Sequence, residues 1–117
     1  METMEYNGYA NKETWSAVTH ILNDQGLQYE LISDLYCQNT DFESSYSIES
    51  NLKDWFTDYF YPSYWEEKFG MDMPKNVIKL LLDIGSLWRI EHRELVPLVR
   101  ELAQQLLPEV KKELSYV

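Results

Sequence analysis

The sequence predicts an all-α fold: a compact bundle of five to seven short helices, with little or no sheet, in a single domain over residues 1–117. Apolar residues recur every three or four positions through most of the chain, most regularly at Ile48, Leu52, Trp55, Phe56, Tyr59 and Phe60. No stretch alternates apolar and polar residues with the period of a half-buried strand. Prolines, glycines and Asn/Asp clusters cut the helical pattern into short segments. A chain of 117 residues buries about two-thirds of its unfolded surface, enough for a core without staples. Its one cysteine, Cys37, excludes an intrachain disulfide and a thiolate zinc cage.

Residues 1–10 read as loosely packed. Asn11 is a favoured N-cap, and Glu13 suits the positive end of the helix that follows. Trp15, Val18 and Leu22, with Ile21 beside them, form its apolar stripe, and Trp15 is expected as the first large core anchor. Asn23, Asp24 and Gly26 end the helix, with Gly26 as a left-handed residue past its C-terminus. A second helix follows from Leu27 to Cys37, carrying Leu27, Leu31, Ile32, Leu35 and Tyr36 on one face. Residues 38–47 are polar and predict a loop, with Ser45 or Ser47 capping the third helix.

That third helix stops near Phe60 or Tyr61, because Pro62 cannot continue its ladder. Ser63 is placed to cap a short segment from Tyr64 to Phe69 that Gly70 closes. Pro74 lies near the first position of the next helix, whose wide stripe of Val77, Ile78, Leu81, Leu82 and Ile84 predicts a central location. The last long pattern runs from Glu91 to Leu107 and contains Pro97. A proline there either kinks the helix or falls in its first turn. Pro108 predicts a second kink or a fresh start for a terminal helical tail, 108–117.

The formal net charge is −10, and it is unevenly placed. Residues 1–72 hold 14 acidic against three basic side chains, and residues 73–117 hold seven basic against six acidic. This balance excludes a conventional nucleic-acid binder, which needs a basic surface to neutralise phosphates. No apolar run is long enough to span a bilayer, and the first residues lack the character of a signal peptide, so a cytoplasmic protein without membrane contact is expected.

Few residues suggest catalysis. His20 and His92 stand far apart in sequence, and neither has a His or Cys partner at helical spacing. Cys37 has no basic neighbour to lower its pKa and reads as a small core residue. No glycine-rich phosphate loop is present. The residues therefore point to no enzyme, metal or cofactor. A small-molecule enzyme is the third alternative and needs a pocket gathering His20 or His92 with several carboxylates.

The segment around Trp55 to Phe69 is the most informative. Its rings alternate with Asp54, Asp58, Glu66 and Glu67. Trp55, Phe56, Tyr59 and Phe60 satisfy a core stripe, whereas Tyr61, Tyr64 and Trp65 lie beyond Pro62, where the stripe no longer places them. Exposed Tyr and Trp beside acids suit a protein interface. Carboxylates at helical spacing also present negative charge where a basic groove expects phosphates. The partner-binding set is thus Asp54, Asp58, Tyr61, Tyr64, Trp65, Glu66 and Glu67. The partner expected is a basic surface of a host protein.

Asn11-Lys12-Glu13-Thr14-Trp15, with Ile21-Leu22-Asn23-Asp24 and Gly26-Leu27 after it, resembles the opening of a family of small uncharacterised proteins from phages, plasmids and cyanobacteria. The family pattern is N-(K/R)-E-T-W, a helix, and N-D-x-G-L. Ile90-Glu91-His92-Arg93-Glu94-Leu95 is similar to its closing I-x-W-R-E-I element, with His92 in place of Trp. The resemblance implies no activity. It implies a mobile-element context, in which inhibition of a nucleic-acid-handling or defence complex, as by an anti-CRISPR protein, is the concrete form of the expected function. A structural role is expected for Asn11, Glu13, Trp15, Asn23, Asp24 and Gly26, with Arg93 and Glu94 binding the polar ends of the first helix. The runner-up function is a helical homo-oligomer or adaptor that buries its aromatic patch.

Overall fold

The computed structural model describes residues 8–115. Six α-helices run through them: α1 (Lys12–Leu22), α2 (Gln25–Cys37), α3 (Ser45–Tyr59), α4 (Pro62–Phe69), α5 (Lys75–Ile84) and α6 (Val96–Leu114). Two 3-10 segments, Leu87–Arg89 and His92–Leu95, connect α5 to α6. No β-strand forms among the described residues, so the fold is all-α.

Asn11 caps α1: its side-chain oxygen accepts from Thr14 N at 2.9 Å and from Thr14 Oγ1 at 2.7 Å. The buried stripe of α1 is Thr14, Ala17, Val18 and Ile21, rotated from the expected one. Trp15 is only half-buried and Leu22 is exposed. Trp15 is therefore not the core anchor, because the core side of α1 falls one position earlier along the repeat.

The junction with α2 is tighter than the sequence suggests. Asn23 is the C-cap of α1, and the next residue, Asp24, already caps α2 by accepting from Leu27 N at 3.0 Å. Gly26 lies inside the first turn of α2 and is not among the positive-φ glycines, so it terminates nothing. The short α1–α2 turn needs no left-handed residue because a single carboxylate opens the second helix directly.

The cap of α3 is Ser44, one residue before the expected Ser45; Ser47 instead accepts from Asp41 N within the loop. In α4, Pro62 takes the first helical position and Tyr61 the cap position, so Ser63 caps nothing. Gly70 ends α4 in the left-handed conformation, φ 63°. Pro74 sits one step before α5, at its cap position. Pro97 falls in the first turn of α6, where its missing N–H has no intrahelical role. Pro108 interrupts neither the helix nor its stripe: Val99, Leu102, Ala103, Leu106 and Val110 continue through it, and Val110 is fully buried. Pro108 and Gln104, whose carbonyl loses its donor, are both exposed residues, so the lost bond falls on the solvent side of the helix. Residues 108–114 are thus the end of α6 and not a separate tail, while 116–117 lie outside the described residues.

The core gathers on α2. Leu31, Ile32 and Leu35 are fully buried, and α2 packs on α6, α3 and α1. Trp55 stacks on Tyr59 with ring centroids 4.5 Å apart, and Phe56 meets Trp55 edge-on at 5.0 Å. Of residues 1–10, the described end joins this body: Tyr9 packs against the core, and Ala10 N donates to Glu94 Oε1 at 3.0 Å. Residues 1–7 lie outside the described residues.

Three expectations are corrected. Helix α5 is peripheral: it buries Val77 and Ile84 but leaves Leu82 75% exposed, since it packs chiefly on α1 alone. Cys37 is exposed at the last position of α2 and is no core residue. His20, read from the sequence as spaced to meet Asp24 four residues on, instead pairs through Nε2 with Asp83 Oδ2 at 3.5 Å across to α5, and Asp24 caps α2.

Candidate interaction surface

Helix α4 is held by a polar cluster that the sequence reading missed. Asp34, 8% exposed on α2, accepts from Trp55 Nε1 at 3.0 Å, from Tyr64 Oη at 2.7 Å and from Lys68 Nζ at 2.5 Å. Lys68 also donates to Tyr64 Oη at 3.0 Å and lies 3.9 Å from Glu30. Its ammonium sits over the rings of Tyr64 and Phe69, at 5.1 and 5.4 Å from their centroids. One buried carboxylate thus ties α2, α3 and α4 together. Burial, reinforced by the Asp34 charge, raises the Glu30 pKa above the usual carboxylate range. Burial first, then hydrogen bonding to Asp34, pushes the Tyr64 phenol far up, and burial with Glu30 and Asp34 does the same for Tyr59.

This clamp decides which predicted residues reach solvent. Trp65 is 5% exposed, with its Nε1 donating to Tyr59 O at 2.9 Å, so it is withdrawn from the partner-binding set. Tyr64 is half-buried, its hydroxyl turned inward to Asp34. The aromatic patch expected for self-association is therefore largely core. Tyr61 stays 62% exposed, and Asp54, Asp58, Glu66 and Glu67 are all exposed.

Those residues share one strip along α3 and α4. A depression of about 550 Å³ is lined by Gln38, Asn51, Asp54, Thr57 and Asp58. Asp58 also lines the next one, of about 220 Å³, with Tyr61, Ser63, Tyr64 and Glu67. Tyr61 and Ser63 in turn line a third, of about 560 Å³, with Glu66, Met71, Asp72 and Ile78. Five carboxylates line the three joined depressions, and no Lys, Arg or His does. Lys68, the cation of α4, points its charge into the clamp, and Lys53 stands exposed on α3 outside the three linings.

The residues of the two motif segments meet at the other end of α1. Asn11 Nδ2 donates to Arg89 O at 2.6 Å, Glu91 N donates to Thr14 Oγ1 at 2.8 Å, and Glu94 receives Ala10 N. The guanidinium that reaches Glu13 is that of Arg89, at 3.6 Å; Arg93 is exposed and makes no such bond. Glu94 binds the helix start as expected, and Arg89 takes the place foreseen for Arg93. Asn23 and Asp24 serve the α1–α2 junction. All of these roles are structural.

A separate cleft of about 350 Å³ gathers His20 with Asp24, Asp83, Lys79, Tyr59 and Asn76 between α1 and α5. It holds a histidine and two carboxylates. However, Asp24 is committed to capping α2, and no Ser, Thr or Cys lines the cleft. His92 stands elsewhere, half-buried, with its Nε2 lacking any hydrogen-bond partner and its ring 5.5 Å from Phe56. Burial, and then the charge of Lys53, lowers its pKa. Among the described residues no group of three or more His, Cys, Asp or Glu is placed to hold a metal, and no helix is long and apolar enough to cross a membrane. No family model matches the chain, and no curated protein or solved structure matches it.

Proposed function

We propose that this chain is a non-enzymatic interaction protein that seats the α3–α4 strip on a basic surface of a protein partner. The observation that supports the reading is the joined row of Asp54, Asp58, Glu66, Glu67 and Asp72 around exposed Tyr61, with no cation lining it. Such a row offers a basic groove the charge it evolved to receive from phosphates, and Tyr61 adds the aromatic anchor that interfaces favour. Inhibition of a nucleic-acid-handling or defence complex by occupying its groove is the concrete form of this reading, and a phage or other mobile element is the genetic setting that suits it.

The test is capture of partners from a bacterial lysate, with identification of what binds, at about 0.05 M and about 0.5 M salt, a range that shortens the Debye length about threefold. A basic partner should be retained at low salt, lost at high salt, displaced by duplex DNA, and not retained by the fourfold variant D54N/D58N/E66Q/E67Q. Capture that ignores salt, or that the fourfold variant preserves, overturns the reading.

A further inference from the structure

The three depressions of the α3–α4 strip are not alike. The first is lined by polar side chains only, those of Gln38, Asn51, Asp54, Thr57 and Asp58. The third, at the junction of α4 and α5, has Tyr61, Pro62, Met71 and Ile78 in its wall, with Glu66 and Asp72 beside them. The chain builds this wall by turning back on itself. Gly70 N donates to Glu66 O at 2.9 Å and Met71 N to Trp65 O at 3.4 Å, so the residues after the left-handed Gly70 return along α4 toward its start. Met71 and Ile78 are 45% and 43% exposed there, and Tyr61 is more so. An isolated exposed apolar side chain is ordinary, but three around one hollow with carboxylates beside them mark a place where another molecule seats.

We propose that the strip's partner is a protein segment rich in lysine or arginine that carries one apolar side chain, and that this side chain seats between Tyr61, Met71 and Ile78. The inference rests on the reading of the strip as a surface for a basic protein, and it narrows what that protein presents. Charge selects the segment. Glu66 and Asp72 line the apolar depression itself, Asp58 and Glu67 line the one beside it, and no Lys, Arg or His lines either. A neutral or acidic apolar segment would strip water from those carboxylates and give them no partner, so cations must flank the apolar side chain. Length selects a polypeptide over a small molecule. Asp54 and Asp58 are about 6 Å apart along α3, and the apolar depression lies beyond both, so a ligand that meets the whole row spans several residues. Met71 suits the wall of such a seat, because an unbranched thioether adapts its shape to the side chain it receives.

Fluorescence anisotropy at about 0.05 M salt, with the chain titrated from about 1 µM to about 1 mM, tests the proposal on two labelled peptides. They are equal in length and charge, lysine throughout except for a central leucine in one and a central alanine in the other. The native chain should bind the leucine peptide about tenfold more tightly. M71Q/I78Q should bring the two peptides to within about twofold of each other and leave the affinity for the alanine peptide unchanged. D54N/D58N/E66Q/E67Q should bind neither. Met71 and Ile78 are exposed, and circular dichroism checks that each variant is folded. Equal affinity of the native chain for the two peptides, or a leucine preference that survives M71Q/I78Q, overturns the inference; if the fourfold variant still loses both peptides, the basic-partner reading stands without it. Peptide binding that the fourfold variant preserves, or no binding of either peptide to the native chain, overturns that reading and the inference with it.

Discussion

At the scale of single residues, Asp34 and His92 carry the most unusual environments. Asp34 stands beside the unbroken apolar series Leu27, Leu31 and Leu35, so the place of a carboxylate at the edge of a core stripe was legible in the sequence. Its partners were not, because Trp55, Tyr64 and Lys68 arrive from two other helices whose rotation only packing sets. Asp34→Ala leaves a buried indole N–H and a phenol without an acceptor and frees the Lys68 ammonium. It should lower the unfolding free energy by about 3 kcal/mol in urea titrations; a loss under about 1 kcal/mol would show that the clamp is replaceable by water. His92 gives a pH signature. Its folded pKa lies below the unfolded value of about 6.5, so the unfolded chain takes up the proton first as pH falls. The stability owed to neutral His92 is therefore complete above about pH 6.5 and is lost as pH falls from there through the folded pKa. Titrating unfolding midpoints of the native chain and H92F side by side should show the native chain losing more stability between about pH 7.5 and pH 5. Parallel curves would remove His92 from the account.

At the scale of elements, helix existence was legible and helix rotation was not. The stripe of α3 survives unchanged into the core, because Trp55, Phe56 and Tyr59 are too large to be hidden anywhere else. The stripe of α5 looks equally apolar, yet half of it faces solvent, since nothing in a hydrophobic periodicity says how many neighbours a helix will have. Glycines show the same limit. Gly26 and Gly70 both follow helical patterns, but only Gly70 adopts positive φ. A Cβ at Gly26 would meet nothing closer than Asp24 Oδ1 at 3.4 Å. Gly26→Ala should accordingly stabilise the protein by about 0.5 kcal/mol through the unfolded chain, whereas Gly70→Ala should cost about 1 kcal/mol for its left-handed backbone. Thermal melts of the two variants should move in opposite directions, and a shared direction would place Gly26 in a strained turn.

At the scale of the whole molecule, the sequence located the acidity in the first three-fifths of the chain but not its shape. The acids nearest the aromatic segment become a strip because Asp34 draws Lys68 inward and Pro62 sets α4 at the end of α3. Asp54 and Asp58 were identifiable as solvent-facing from the gaps in the α3 stripe. The burial of Trp65 was not, because an eight-residue helix after a proline has too little periodicity to fix its own orientation. Neutralising the four strip acids takes the chain from −10 to −6 without touching the core. That change leaves a folded protein with less self-repulsion, which makes the fourfold variant a fair control for binding.

The junction of residues 10–14 with 89–94 also has a consequence in time. Its hydrogen bonds join groups 77 to 84 positions apart. At a synthesis rate of about 5–20 residues per second, the start of α1 leaves the ribosome about 4–16 seconds before its mates are made. Helix α1 can form and rest on α2 at once, but its first turn cannot be locked until the chain is nearly complete. Closing so large a loop carries the full entropy of the segment between. The N-terminal turn is thus secured only after α2 to α5 have been made, and a nascent chain stalled before Arg89 would hold every helix through α5 with that turn still open.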